Sequence, residues 1–156
     1  MATASRLEQY MTQRGIHYDV MLHPRSHSSM ETAELAHVPG DRLAKSVILE
    51  DDEGYVMAVL PSTHRVEIGK LSRELNRKLG LATESELMTL FADCETGAIP
   101  PVGLAYGMMT VVDEGLAEQE EIYFEAGDHE NLIRMNRDEF KALMEHAAHA
   151  NFGHRV

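Results

Sequence analysis

The chain has 156 residues, 44% hydrophobic and 26% charged, which suits one folded domain with a full core and excludes a disordered chain. Its net charge of -12, from 26 acidic and 14 basic residues, argues against extended nonspecific binding to DNA or RNA, though a small basic patch could still grip a nucleic-acid end. No apolar run approaches the roughly 20 residues that span a bilayer, no signal-peptide core follows Met1, and the lone Cys94 excludes an internal disulfide, so a cytoplasmic protein with no membrane partner is expected.

In chain order, Arg6 to Arg14 reads as a helix with Ser5 as N-cap, Gly15 just past its end, and Leu7, Tyr10 and Met11 on one apolar face. His17 to Leu22 alternates as a strand. Ser28 with Glu31 three residues on forms a capping box, opening a short helix through about Ala36 that Val38-Pro39-Gly40 stops. Ala44 to Leu49 and Tyr55 to Leu60 are nearly continuous apolar runs joined by Asp51-Asp52-Glu53-Gly54. That pattern predicts a hairpin in the centre of a sheet. Val66, Ile68 and Leu71 lead into a helix ending near Leu79-Gly80. Thr83 caps another, with Glu84 and Glu86 in the first turn, where the helix dipole favours acids.

Further on, Met108 to Val112 reads as a strand, Asp113-Glu114-Gly115 as a turn, and Glu121 to Glu125 as a strand. Ala126-Gly127-Asp128 turns the chain into a strand from Asn131 to Met135. Asn136-Arg137-Asp138-Glu139 is a capping box that opens a C-terminal helix to about His149, and residues 150–156 read as a flexible tail. With no repeat, linker or strict β-α alternation, the expectation is a single domain over residues 1–156, of α+β class, with a mixed or antiparallel sheet.

The segment from Asp93 to Gly103 holds two glycines and the pair Pro100-Pro101. Proline fixes φ and lacks an amide donor, and glycine admits backbone geometries closed to other residues. Such a stiff loop offers main-chain groups to a ligand in place of side chains. Lys45 shares strand parity with Val47 and Leu49, so its ammonium projects among apolar side chains, where it would suit an anion such as a phosphate. A strand lysine can equally snorkel to the sheet edge. Cys94 reads either as a nucleophile with His27, His64 or His129 as base, or as a small buried hydrophobe, and its neighbours Asp93 and Glu95 disfavour the thiolate. His23, Ser26, His27 and Ser28 form a polar cluster between a strand and a helix. In it Ser28 reads first as an N-cap, and His27 as a loop residue able to reach a ligand. His129, after Gly127-Asp128, is a turn residue with the same option. Walker, dinucleotide, HExxH and paired CxxC signatures are absent.

Leu43-Ala44-Lys45-Ser46-Val47, Ala58-Val59-Leu60-Pro61, Cys94 to Gly103 and Phe124-Glu125-Ala126-Gly127 occur in that order. Together they resemble the YbaK/prolyl-tRNA-synthetase-associated domain family, over roughly Leu22 to Leu143. The resemblance implies a mixed, partly barrel-like sheet with surrounding helices, and hydrolysis of an amino acid wrongly esterified to tRNA: an aminoacyl-tRNA deacylase acting in trans. It implies that Lys45 engages the tRNA end, and that the loop of Gly97, Ala98, Ile99, Pro100 and Pro101 positions ester and water through its backbone. The ribose hydroxyl of the terminal adenosine is implied to assist the water. His27, Ser28, Gly127 and His129 are the candidate substrate contacts. No metal or cofactor is expected. The expected partners are the aminoacyl-tRNA acceptor end and a synthetase that delivers it, not DNA. The alternative is a noncatalytic module of the same fold that binds an aminoacyl or nucleotide ligand.

Overall fold

A computed structural model of the chain describes residues 3–26, 28–95 and 97–155. The first half runs α1 (Ser5–Gln13), β1 (Asp19–Leu22), α2 (Ser29–Leu35), β2 (Leu43–Asp51), β3 (Gly54–Pro61), β4 (His64–Val66), α3 (Ile68–Leu75), β5 (Gly80–Leu81) and α4 (Glu84–Leu90). The second half runs β6 (Met109–Asp113), α5 (Glu114–Ala117), β7 (Glu121–Glu125), β8 (Asn131–Asn136), α6 (Arg137–Leu143), β9 (Ala148–Ala150) and β10 (Gly153–Arg155). The main sheet has the order β1-β8-β7-β2-β3-β6-β9, with β5 as a further partner of β2, and β4 and β10 form a separate pair. Antiparallel and parallel pairings mix, as the α+β expectation requires. Among the described residues no pairing joins the two outer strands, so the mixed, partly barrel-like sheet does not close into a full barrel.

The β2–β3 hairpin lies in the middle of this sheet because both of its faces are covered. Side chains alternate across β2. Ala44 and Ile48 face a core containing Leu7 and Met11 of α1, Phe91, Leu116 of α5, Phe124 and Phe140 of α6. Leu43 faces the opposite way, against Ala33 of α2 and Leu132. Leu49 shares that second face with Leu60, Leu71 of α3 and Phe152. Each fully buried Leu or Phe side chain contributes about 1.5–3 kcal/mol, so both faces hold the hairpin firmly.

Three caps match the sequence reading. Ser28, Thr83 and Asn136 accept from the amides of Glu31, Glu86 and Glu139. Elsewhere the structure corrects the reading. Ala4, not Ser5, stands at the N-cap of α1 and makes no side-chain cap bond. The first strand starts at Asp19, and the Asp113 turn is a short helix capped by the Asp113 carboxylate. α6 stops at Leu143, because residues 148–150 pair instead with the outer edge of β6. Over residues 150–155, where a flexible tail was expected, Phe152 is buried and β10 pairs with β4. Asp113 fixes this turn by accepting from the amides of Phe152 and Gly153 at 3.0 and 2.9 Å.

Among the described residues no helix is long and apolar enough to cross a membrane. The feature that positions the site is a change of partner along β2. β7 pairs with Leu43 and Ala44, whereas β5 pairs with Leu49 and Glu50. Between them the sheet splits beside Lys45, Ser46 and Val47.

Candidate active site

The proline loop closes over that split. Ser46 donates its hydroxyl to the Ile99 carbonyl at 3.3 Å, which ties the loop to the unpaired edge of β2. Ala98, Pro100 and Pro101 are buried, and the prolines bring no amide that burial would leave unsatisfied. The Ala98 amide donates to the Glu95 carbonyl at 3.1 Å, and the Glu95 amide to the Gly127 carbonyl at 2.7 Å. The amides of Gly97 and Ile99 donate to no group among the described residues. Within residues 97–101 they are the two amides without a partner among the described residues.

The turn after β7 is the other half of the frame. Gly127 has φ +119, and a Cβ there would lie 3.0 Å from the Ala4 Cβ and 3.5 Å from Cys94 Sγ, so only glycine fits. The buried Asp128 carboxylate accepts from the amides of Glu130 and Asn131 at 3.0 and 2.8 Å. This side-chain-to-backbone turn carries His129 into the left-handed region, at φ 62. The His129 ring consequently packs on Gly97, whose φ is +83, with Cε1 at 3.2 Å from the place a Cβ would take.

Loop and turn enclose one side of a cleft of about 550 Å³, a size suited to a small-molecule moiety. Leu87, Met88 and Phe91 form its apolar wall, Cys94 and Ile99 its base, and Ser26, Arg25 and His129 the polar side. Arg25 pairs with Glu95 and also donates to the Asp128 carbonyl at 3.4 Å. The hydrogen bond from Arg25 holds the Glu95 carboxyl below the usual carboxylate range.

Cys94 is not poised as a nucleophile. Burial, reinforced by the Asp93 carboxylate, pushes its thiol up to about 12 despite the nearby Tyr106 hydroxyl. Both the thiol and the Tyr106 hydroxyl donate to Asp93 Oδ1, at 3.4 and 2.9 Å. His23 is similarly committed to structure: its Nδ1 donates to the Pro24 carbonyl at 2.7 Å, and its Nε2 lies 2.8 Å from Glu125 Oε1. That contact has the distance of a charge pair but not the alignment of a hydrogen bond. Burial raises the Glu125 carboxyl, while His23 and His129 pull it back down. Among the described residues no three His, Cys, Asp or Glu side chains converge as metal ligands.

Of the residues singled out in the sequence, Ile99 and His129 line the cleft, and Gly97, Ala98, Pro100, Pro101 and Gly127 build its frame. Ser28 caps α2 instead of facing the cleft. His27 lies outside the described residues. Lys45 is half-buried opposite Leu60, on the face of β2 turned away from Ser46, and makes no ion pair with a described residue. Burial lowers its pKa. Sequence reasoning missed Ser46, Phe91 and Glu125. The alternation of β2 was enough to place Ser46 opposite Lys45, whereas the other two come from segments that only the fold brings together.

Comparison with known proteins places the fold among solved structures and the sequence in a family. The aminoacyl-tRNA editing domain family matches residues 23–143, which contain the loop, the turn and Lys45. A solved structure of a candidate trans-editing enzyme for prolyl-tRNA synthetase superposes with a TM-score of 0.84 and 25% identity, covering 99% of this chain and 98% of its own. A hypothetical protein gives 0.84 and 22%, over 96% and 100% of the two chains. A scaffold used in computational epitope grafting gives 0.85 and 22%, over 100% and 99%. No curated protein matches. With the family's match spanning most of the sequence and both halves of the cleft, this chain belongs to the aminoacyl-tRNA editing domain family.

Proposed function

We propose that the protein hydrolyses the ester of a mischarged aminoacyl-tRNA in trans, by holding the ester and a water against the proline loop. The observation that carries this reading is the pair of free amides at Gly97 and Ile99, in a loop otherwise locked by Pro100, Pro101, Ser46 and Gly127. An aminoacyl ester is already activated, so positioning and oxyanion stabilisation supply most of what hydrolysis needs. Each preorganised donor at the developing oxyanion contributes about 2.7–4 kcal/mol. Water attacks the ester carbonyl, the carbonyl oxygen gathers charge against the loop amides, and the tRNA ribose oxygen leaves with a proton. The terminal adenosine's own ribose hydroxyl assists the water, which removes the need for a protein nucleophile.

His129, Leu87 and Phe91 line the cleft that would take the amino acid, and the family likeness makes a small residue such as Ala, Ser, Cys or Thr the expected cargo. Lys45, on the far face of β2, neutralises a phosphate of the acceptor end. The relative described as a candidate trans-editing enzyme for prolyl-tRNA synthetase supports a synthetase as the partner that delivers the tRNA. The test is a single-turnover time course with radiolabelled amino acid on a mischarged tRNA. Release faster than in buffer supports the enzyme. Saturable binding without release would favour the noncatalytic module.

A further inference from the structure

The acidic chain carries a basic stretch. Residues 65–78 hold Arg65, Lys70, Arg73, Arg77 and Lys78 against two acids, Glu67 and Glu74. Arg77 is consumed by Asp51 and Glu53 at the hairpin turn. Arg65, Lys70 and Arg73 make no ion pair with any described residue. By contrast, Arg25, which lines the cleft, is paired with Glu95, and Arg42 with Glu121. β4 and α3 thus carry three cations without an ion-pair partner among the described residues, all between residues 65 and 73. Lys70 and Arg73 are three residues apart on the helix, so they share a face. The Arg73 guanidinium folds back beside Gly69, at 3.6 Å from the place a Cβ would take, which brings the two charges toward the start of the helix.

This cationic face is connected to the site through the sheet. Lys45 pairs across the hairpin with Leu60, and Leu60 packs with Leu71 of α3. Lys45 therefore stands on the α3 side of β2, between the split that forms the cleft and the helix. β4 continues directly from β3, which places Arg65 near the same end. Lys45 and α3 thus share one side of the sheet.

We propose that the face formed by Arg65, Lys70 and Arg73 docks the sugar-phosphate backbone of the tRNA whose end enters the cleft. The proposal rests on the editing reading for the identity of the RNA, and charge complementarity in a chain of net charge -12 selects a polyanion as occupant. The Arg65→Ala/Lys70→Ala/Arg73→Ala variant of the full chain is titrated with uncharged tRNA by fluorescence anisotropy at several salt concentrations. Its affinity falls about tenfold or more, and the slope of log K against log salt falls by about one for each charge removed. Lys141→Ala removes a cation from α6, which packs on the other face through Phe140 and Leu143, and leaves both values unchanged. Lys70→Arg/Arg73→Lys keeps the charge and keeps binding, which separates docking from a folding defect.

Binding within twofold of wild type in the triple variant overturns the proposal, as does an equal loss in Lys141→Ala. So does a wild-type protein without salt-sensitive tRNA binding. A face used for a protein partner also leaves the tRNA affinity of the triple variant unchanged, and that result overturns tRNA docking in the same way. Because the RNA is uncharged, absence of ester hydrolysis removes the editing reading without touching this test. Loss of docking, conversely, leaves hydrolysis of a short aminoacyl-ester mimic intact.

Discussion

Replacing Gly97 by alanine should separate the role of the loop in activity from its role in stability. Gly97 sits at φ +83, where an L side chain costs about 1–2 kcal/mol. The added methyl would also stand 3.2 Å from His129 Cε1, tight enough that the ring or the loop must yield. Gly97 is exposed, so a shift of the loop relieves both costs without unfolding the core. A displacement of about 1 Å at a positioning element is enough to lower a rate on the order of 100-fold. The expected outcome is a single-turnover deacylation rate reduced about 100-fold. The melting temperature should drop only a few degrees, at about 2–4 °C per kcal/mol for a chain of this size.

Gly15→Ala is the matched control. Its φ is +64, but nothing lies within 4 Å of its Cβ and it is remote from the cleft. It should show a similar thermal cost with an unchanged rate. If Gly97→Ala keeps its rate within about twofold of wild type, or if Gly15→Ala slows as much, the backbone-cradle reasoning is wrong.

Three further outcomes follow from the same geometry. Lys45→Met should lower deacylation about tenfold or more without lowering the melting temperature: the half-buried ammonium, whose pKa burial depresses, disfavours folding at every pH below its unfolded value of about 10.4. A Lys45→Met protein with full activity would remove the phosphate role. Asp51, held at about 2 by Arg77, stabilises the fold above its unfolded value of about 3.9 and loses that contribution as pH falls through about 2. Urea unfolding at stepped pH should accordingly be less pH-dependent between about 4 and 2 in Asp51→Asn than in wild type, and equal slopes would refute the pairing. Cys94→Ser should retain activity in the presence of a chelator, because the thiol sits near 12, and loss under either condition would restore a thiol or metal mechanism.

Much of this fold was legible because local chemistry and tertiary context agree. The nearly continuous apolar runs of β2 and β3 suit a strand pair covered on both faces, and Ser28, Thr83 and Asn136 each had a glutamate three residues on. The end of α6 was not legible. His146 to Ala150 is rich in alanine and reads as helix, yet the free edge of β6 recruits residues 148–150 as a strand. The short β4 and β5 carry no periodicity of their own and are defined by their partners.

The loop from Gly97 to Pro101 stood out by composition, but the reason for its shape did not. Ser46, Gly127 and His129 hold it, from positions distant in sequence. The parity of Lys45 was read correctly as an apolar-side position. What could not be read is that this side belongs to α3, while Ser46 on the opposite parity meets the loop.

The central claim is most directly measured with a panel of tRNAs bearing correct and incorrect amino acids, each incubated with the folded protein under single-turnover conditions. At least one tRNA mischarged with a small residue, among Ala, Ser, Cys and Thr, should lose it well above the buffer rate, while correctly charged tRNAs persist. A panel in which no ester is lost faster than in buffer would contradict the account.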